Sequence, residues 1–211
     1  GVETSTLDAA GEVTARFEMS VTPEQVAAGA AQLTGNIEQV PPMVSAIRIE
    51  GKRLHELARE GKVVDRPART VTVDRFDIKP TDSANIYTAL VDCGSGTYVR
   101  SLAADLGRLL GGGAHLQKLR RTRVGKFSID KAIAVDAISP ESLQPIRTML
   151  GDIPVVQVDG EFERKVCNGQ TFEFSVGDGK VAFEGSSQQL LAIYNATNGV
   201  LAAEKVVPQP I

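Results

Sequence analysis

Two β-rich runs followed at once by a glycine turn and an amphipathic helix limit the folds open to this chain. The runs cover residues 69–78 and 86–93, and a polar loop separates them. Gly94-Ser95-Gly96-Thr97 then leads into a predicted helix over residues 98–110, whose leucines recur at helical spacing. This order predicts an α+β fold with a mixed, largely antiparallel sheet and flanking helices.

Further elements are predicted on both sides of this unit. Thr22 and Gln25 form a capping-box pattern, with Pro23 at the first helical position. The predicted elements are a strand over 12–18, a helix over 23–33, a short basic helix over 52–60, a strand over 124–129, and a connecting helix and linker over 136–153.

The pattern changes from residue 154 onward. A short helix is predicted over 161–167, and brief β-like runs follow at 181–184, 190–194 and 200–207, with Gly and Asn turns between them. Residues 154–211 are therefore predicted to form a small β-rich domain.

Composition excludes several classes of protein. Of the 211 residues, 42% are hydrophobic and 23% are charged, which is close to globular averages and excludes wholesale disorder. No apolar run approaches the length of a membrane span, and residues 1–6 carry no signal-peptide pattern. Cys93 and Cys167 match no zinc or redox spacing. We therefore expect a cytoplasmic protein with two ordinary thiols and no membrane contact.

Charge is distributed unevenly along the chain. Residues 44–126 hold 16 of the 23 Lys and Arg but only 9 of the 26 Asp and Glu, a balance of +7 between acidic flanks. This pattern is typical of a protein with one face against a polyanion, although a solvated basic helix face would give the same counts.

The strongest local signal is the turn at residues 94–97. A helix amino terminus that follows a glycine turn favours anions, and Tyr98 and Arg100 in the first helical turn can face a pocket. Arg is suited to holding a carboxylate or a phosphate with two hydrogen bonds. A Gly-rich turn with a packing Tyr and a surface Arg is the alternative.

Two basic series are candidates for phosphate contacts. The first comprises Arg48, Lys52, Arg53, Arg59, Lys62, Arg66 and Arg69, and the second Lys118, Arg120, Arg121, Arg123 and Lys126. Neither is interleaved with aromatic residues, so recognition by shape and backbone is favoured over base stacking. His55 and His115, the two histidines, belong to no metal-binding pattern.

These segments together resemble the TruB family of bacterial tRNA pseudouridine synthases. Four blocks occur in the family's order and span residues 1–129. They are residues 1–13 (GVETSTLDAAGEV), residues 40–46 (VPPMVSA) with 51–61 (GKRLHELAREG), residues 96–102 (GTYVRSL) with 105–107 (DLG), and residues 113–116 (GAHL) with 119–125 (LRRTRVG).

The resemblance implies a pseudouridine synthase fold over residues 1–153, with an RNA-contacting mobile segment at about 48–69, and a PUA-like domain over 154–211. It also implies isomerisation of uridine 55 (tRNA numbering) in the TΨC loop, with the base flipped out, detached, rotated and rejoined through C5. The partner is then the TΨC arm of tRNA, no metal or organic cofactor is needed, and the full-length enzyme is expected to be a monomer.

Roles carry over to individual residues by the same resemblance. Tyr98 is a candidate proton acceptor at C5, Arg100 is expected to pair with the catalytic carboxylate, and Leu119 is expected to line the pocket. Arg48, Lys52, Arg53, Arg59, Arg120, Arg121 and Arg123 are expected to contact the RNA.

One departure concerns the nucleophile. The family's nucleophilic Asp lies in a Leu-Asp-Pro motif upstream of the block at residues 1–13. Leu7-Asp8 imitates that motif, but Ala9 follows instead of Pro. The resemblance therefore predicts a family member that lacks the nucleophile and is inactive alone. A naturally short RNA-binding or RNA-remodelling protein, or an α+β domain that binds no RNA, are the alternatives.

Overall fold

The computed structural model describes residues 1–49, 51–62 and 64–208, which divide into two units between Arg120 and Arg121. Sequence analysis placed the boundary between the two domains between residues 153 and 154, and that boundary stays a prediction. In the described ranges, no helix combines the length and the apolar character that crossing a membrane requires.

The first unit contains seven strands and three helices among its described residues. In chain order these are β1 (Val2–Thr4), β2 (Val13–Arg16), α1 (Pro23–Gln32), β3 (Gly35–Gln39), β4 (Arg48–Ile49), β5 (Lys52–Arg53), α2 (Leu54–Arg59), β6 (Arg69–Pro80), β7 (Tyr87–Cys93) and α3 (Val99–Leu109).

The central sheet of this unit has the order β3-β6-β7, with both pairings antiparallel. The predicted strands at 69–78 and 86–93 are confirmed as β6 and β7, and the predicted helices at 23–33 and 98–110 as α1 and α3. Helices α1 and α3 pack against the sheet through one cluster of buried residues. Its members are Val26, Ala30, Val73, Phe76, Leu102 and Leu106.

A short chain segment after α3 returns to the amino-terminal hairpin of β1 and β2. A Cβ atom at Gly107 would overlap the backbone of Ala114, so only glycine allows this close approach. The Leu116 N–H donates to the Leu7 carbonyl at 3.0 Å, and the Ala9 N–H donates to the Leu116 carbonyl at 2.9 Å. His115 Nδ1 lies 2.9 Å from the Val2 carbonyl oxygen. Residues 113–116 therefore hold the loop that carries Asp8.

The second unit is β-rich, as predicted. Its elements are β8 (Arg123–Val124), β9 (Phe127–Ser128), β10 (Val155–Gln157), α4 (Gly160–Cys167), β11 (Phe172–Glu173), β12 (Gly179–Glu184), β13 (Leu190–Thr197) and β14 (Val200–Val206). A five-stranded sheet has the order β10-β12-β13-β14-β11, in which only the β10–β12 pair is parallel. Tyr194 and Phe183, both fully buried, lie at the centre of its core.

Two predictions about secondary structure were wrong, and the helix predicted over 52–60 is confirmed as α2 with a later start. The strand predicted over 124–129 is a hairpin of β8 and β9, because Gly125 turns the chain at φ +53°. The connecting helix predicted in 136–153 is replaced by short 3₁₀ turns, because Pro140 and Pro145 interrupt a continuous helix. The helix predicted from residue 52 begins at Leu54, because Lys52–Arg53 pair with Arg48–Ile49 as strands.

Candidate active site

The turn at residues 94–97 delivers Tyr98 to the amino end of α3. The Gly94 N–H donates to the Thr72 carbonyl of β6 at 2.9 Å, so the turn remains tied to the sheet. Gly96 has φ +89°, a conformation that L side chains rarely adopt. Tyr98 itself keeps an extended backbone as the residue that caps the helix. The site is therefore fixed by the end of the sheet rather than by a free loop.

Gln39 clamps the backbone of Tyr98 from the end of β3. The Tyr98 N–H donates to Gln39 Oε1 at 2.8 Å, and Gln39 Nε2 donates to the Tyr98 carbonyl at 3.3 Å. The Gln39 side chain is almost fully buried, with 2% exposure. Buried amide groups are stable only when they are hydrogen-bonded, so this clamp fixes the position of Tyr98.

Truncation of Gln39 is expected to destabilise the first unit. Gln39→Ala leaves the Tyr98 N–H without its acceptor, whereas the Tyr98 carbonyl still accepts from the Leu102 N–H, and we expect a loss of about 1–3 kcal/mol in the free energy of unfolding. Chemical denaturation of the purified chain measures it. Gln32→Ala, at an exposed position of α1, is the matched control and should change stability by less than about 0.5 kcal/mol. Equal effects of the two substitutions would contradict the clamp.

Tyr98 lines a cleft at the end of the central sheet, called here the Tyr98 cleft, which encloses about 250 Å³. Its other walls come from the ends of β3, β6 and the glycine turn. They are formed by Gln39, Pro41, Ile47, Arg69, Thr70, Val71, Ser95 and Gly96. The lining thus combines a tyrosine and an arginine with apolar residues, a mixture typical of sites for small organic ligands.

Arg100 lies on α3 and is bound by three acceptors. Its Nη1 donates to Asp8 Oδ2 at 3.0 Å and approaches the Thr6 carbonyl at 3.4 Å, while Nη2 donates to the Val44 carbonyl at 2.7 Å. The side chains of Arg100 and Asp8 are 23% and 28% exposed. Arg100 is not among the residues that line the Tyr98 cleft.

The carboxylate of Asp8 is held by its own loop as well as by Arg100. The Thr6 hydroxyl donates to Oδ1 at 2.6 Å, and the Ala10 N–H donates to the same oxygen at 3.1 Å. Leu7, directly before Asp8, has φ +62°. For a residue with a Cβ this left-handed conformation costs about 1–2 kcal/mol, and such residues cluster at functional sites. The loop is therefore built to present Asp8.

These contacts change the titration of Asp8. The Thr6 hydroxyl has the largest effect and lowers the pKa of the Asp8 carboxyl, with the Ala10 N–H and Arg100 acting in the same direction against partial burial. The pKa of Asp105 on α3 moves the other way, because burial raises it more than Arg108 lowers it.

The pKa of Asp8 predicts a dependence of stability on pH. Because the folded pKa lies below the unfolded value of about 3.9, the stabilisation is complete above about pH 4 and is lost as the pH falls through the folded pKa. We therefore expect Asp8→Asn to be destabilised by about 1–2 kcal/mol at pH 7 and by less at pH 3 in denaturant titrations. The difference in unfolding free energy between Asp105→Asn and the parent chain should change with pH in the opposite sense, because the pKa of Asp105 is raised. A pH-independent difference for Asp8→Asn would contradict the assignment.

The remaining predicted contact residues lie on exposed surfaces of both units. Arg53 and Arg59 flank α2, and Lys52 pairs with Glu60 at 3.6 Å. Leu119 is 60% exposed and does not line the Tyr98 cleft. In the first unit the other exposed residues of the set are Arg48 and Arg120, and in the second they are Arg121 and Arg123.

Sequence analysis missed two residues of this site. Gln39 follows a segment with little apolar character, and its partner lies 59 positions away. Asp8 was weighed only as a nucleophile, whereas the structure pairs it with Arg100, 92 positions away. The one local signal was the Thr6-Leu7-Asp8 spacing, which suits a hydroxyl-to-carboxylate hydrogen bond. Among the described residues, no group of three His, Cys, Asp or Glu side chains is placed to hold a metal ion.

Comparison with known proteins identifies the family. Residues 1–99 match the family model described as TruB family pseudouridylate synthase (N terminal domain), and residues 100–150 match that of the tRNA pseudouridylate synthase B C-terminal domain. The tRNA pseudouridine synthase B of Aromatoleum aromaticum is 39% identical over 215 residues, which cover 98% of this chain and 70% of that protein. The chain belongs to the TruB family.

Other TruB relatives and solved structures agree with this assignment. The tRNA pseudouridine synthase B of Ralstonia nicotianae is 43% identical over 180 residues, or 81% of this chain. The aligned part spans only 57% of that relative, so this chain corresponds to part of its length. A crystal structure of a Cbf5-Nop10-Gar1 complex superposes with a TM-score of 0.63 over 90% of this chain and 64% of that one, at 21% identity. That superposition supports the α+β fold.

Proposed function

We propose that this TruB-family chain forms the RNA-binding part of a tRNA pseudouridine synthase that converts uridine 55 of the TΨC loop to pseudouridine. The substrate is a uridine flipped out of the loop. The product is its isomer, in which the base is attached to the ribose through C5. In this reaction the N1–C1′ bond breaks and the C5–C1′ bond forms, so C5 loses a proton and N1 gains one, and Tyr98 is the acceptor that we assign for the C5 proton.

One observation carries this proposal. Tyr98 borders a cleft of about 250 Å³ at the end of the sheet, and its backbone is clamped there by buried Gln39. A flipped base needs a recess in which aromatic or apolar side chains can stack on it, and the lining of the Tyr98 cleft supplies both kinds. The relatives that share this segment are tRNA pseudouridine synthases B.

Arg100 is proposed to orient the nucleophilic carboxylate from its fixed position on α3. The Asp8 carboxylate accepts hydrogen bonds from Nη1 of Arg100, from the Thr6 hydroxyl and from the Ala10 N–H. Asp8 is therefore a partner that holds the guanidinium rather than a free nucleophile. The nucleophile is then supplied by the family's Leu-Asp-Pro motif, outside the 211 residues. On this proposal the chain binds RNA but does not isomerise it.

The basic residues of the sequence complete the proposal. Arg48, Arg53 and Arg59 in the first unit, and Arg121 and Arg123 in the second, contact the phosphates of the TΨC arm. No metal or organic cofactor takes part, and the complete enzyme acts as a monomer in the cytoplasm.

Tritium release from tRNA labelled at C5 of uridine tests the activity. The 211-residue chain should bind a TΨC-arm hairpin in a gel-shift assay at low salt but release no tritium. A chimera that joins the part of the Aromatoleum aromaticum relative preceding the aligned region to residue 1 should release it. A matched chimera with Asn in place of the motif's Asp should not.

Each alternative has its own outcome in this test. Tritium release by the 211 residues alone would overturn the assignment of an external nucleophile. Binding without release by the chimera would favour the RNA-binding or RNA-remodelling protein. A hairpin of unchanged mobility at low salt would contradict an RNA function altogether.

A further inference from the structure

The chain contains two Asn-Gly pairs, at residues 168–169 and 198–199, and both lie in the second unit. In such a pair the backbone nitrogen of the glycine can attack the side-chain amide of the asparagine, because glycine has no Cβ to hinder the approach. Both asparagines are exposed to water. The two pairs are therefore equivalent in sequence and exposure, and the backbone around each decides which one reacts.

Asn168 and Gly169 follow α4 directly and are locked by hydrogen bonds to it. The Asn168 N–H donates to the Arg164 carbonyl at 3.0 Å, and the Gly169 N–H donates to the Val166 carbonyl at 3.0 Å. A Cβ atom at Gly169 would lie 3.1 Å from the side chain of Val206, so the glycine is also closely packed. The nitrogen that would attack is engaged as a donor here, and it becomes free only when the end of α4 opens.

Asn198 and Gly199 form the two-residue turn between β13 and β14, in which Thr197 lies opposite Val200. Their φ angles are +52° and +78°, as this kind of hairpin turn requires. Among the described residues, the Gly199 N–H has no acceptor and the Asn198 side chain has no hydrogen-bond partner. A Cβ atom at Gly199 would meet no other described atom within 4 Å. Both reacting groups are therefore free to meet when the turn opens locally.

We propose that Asn198 is a site of spontaneous deamidation. The Gly199 nitrogen forms a bond to Cγ of Asn198 and loses its proton. The Cγ–Nδ2 bond breaks, and the side-chain nitrogen takes up a proton and leaves as ammonia, so that a five-membered succinimide ring remains. Water then opens the ring at Cγ to give aspartate, or at the main-chain carbonyl carbon to give isoaspartate, in which the backbone runs through Cγ.

Isoaspartate adds one methylene group to the backbone of this turn. The register of β13 and β14 depends on the length of the turn that joins them. The turn also accepts a hydrogen bond from the Phe174 N–H to the Gly199 carbonyl at 2.9 Å, and the Asn198 N–H donates to Asp178 Oδ1 at 2.8 Å. Phe174 packs against the buried core of the second unit. Isoaspartate at residue 198 therefore destabilises this unit.

Ageing of the folded 211-residue chain tests the proposal. The purified chain is incubated in mildly alkaline buffer, and isoaspartate is located by labelling with a protein isoaspartate methyltransferase and peptide mapping. We expect isoaspartate to form at least about fivefold faster at residue 198 than at residue 168, which is the ratio that one net backbone hydrogen bond gives. Asn198→Gln, whose longer side chain disfavours closure of the ring, should gain no label at residue 198.

The chain unfolded in denaturant is the reference for the effect of sequence. In that state both Asn-Gly pairs are free and should react at similar rates. Equal rates at the two pairs in the folded chain, or no isoaspartate at residue 198, would overturn the proposal. Because the test involves neither RNA nor turnover, its result is independent of the proposed function.

The effect on stability has its own comparison. Deamidation replaces a neutral amide by a carboxylate, so the isoaspartate form can be separated by ion exchange and compared with Asn198→Asp, which has the same charge but an unaltered backbone. We expect the isoaspartate form to unfold at a lower denaturant concentration than Asn198→Asp. Equal midpoints would overturn the effect of the added methylene group on the second unit.

Discussion

Replacing Tyr98 by Phe is expected to slow isomerisation by about 10²–10⁴-fold while the affinity for the tRNA arm changes less than about threefold. The substitution keeps the ring that borders the Tyr98 cleft and removes only the hydroxyl. The Gln39 clamp is also kept, because it holds the backbone of Tyr98 and not its side chain. The loss should therefore appear in kcat and not in the binding constant.

The measurement is single-turnover tritium release by the catalytically complete chimera, with fluorescence anisotropy for affinity. Tyr87→Phe is the matched control, since Tyr87 is half-buried against the core of the first unit and does not line the Tyr98 cleft. It should leave both quantities within about twofold of the parent. Normal tritium release by Tyr98→Phe would remove the phenol from the chemistry.

Sequence reasoning predicted the elements around the Tyr98 cleft well where the signals were local. The alternating residues of β6 and β7, the glycine turn and the leucine stripe of α3 follow one another within residues 69–109, and each pattern is local, so periodicity found them. The capping box at Thr22 and Gln25 is confirmed, with both hydrogen bonds present. Tyr98 and Arg100 were singled out because they follow that turn directly.

The rest depended on contacts between distant parts of the chain. β3 has one large apolar residue, Ile37, and it becomes a strand because it pairs with β6. The burial of Gln39 follows from that pairing, since it brings the polar end of β3 against the start of α3. Asp8 reaches Arg100 only because residues 113–116 dock its loop. Local patterns carry no information about such pairings, so sequence reasoning did not find the ion pair between Arg100 and Asp8.

Arg100→Lys is expected to lower kcat of the complete enzyme by at least about 100-fold, even though the positive charge remains. The guanidinium bridges Asp8 on one side and the Val44 carbonyl on the other through two different nitrogens. A single lysine ammonium cannot donate to both Asp8 and the Val44 carbonyl from the positions of the two guanidinium nitrogens. The cation is then no longer held at the place where it must orient the nucleophile. Affinity for the tRNA arm should fall far less than kcat.

A double-mutant cycle separates this role from a general loss of structure. If Asp8 acts by holding Arg100, Asp8→Asn should reduce kcat by about 10–100-fold in the parent background and by much less in Arg100→Lys. Arg108→Lys is the control, because Arg108 pairs with Asp105 and Glu3 and not with Asp8, and it should combine additively with Asp8→Asn. Additive effects of Asp8→Asn and Arg100→Lys would mean that the ion pair only stabilises the fold. Strong coupling in kcat, with the unfolding free energies of the variants nearly additive, would instead assign Asp8 to the orientation of Arg100 in the reaction.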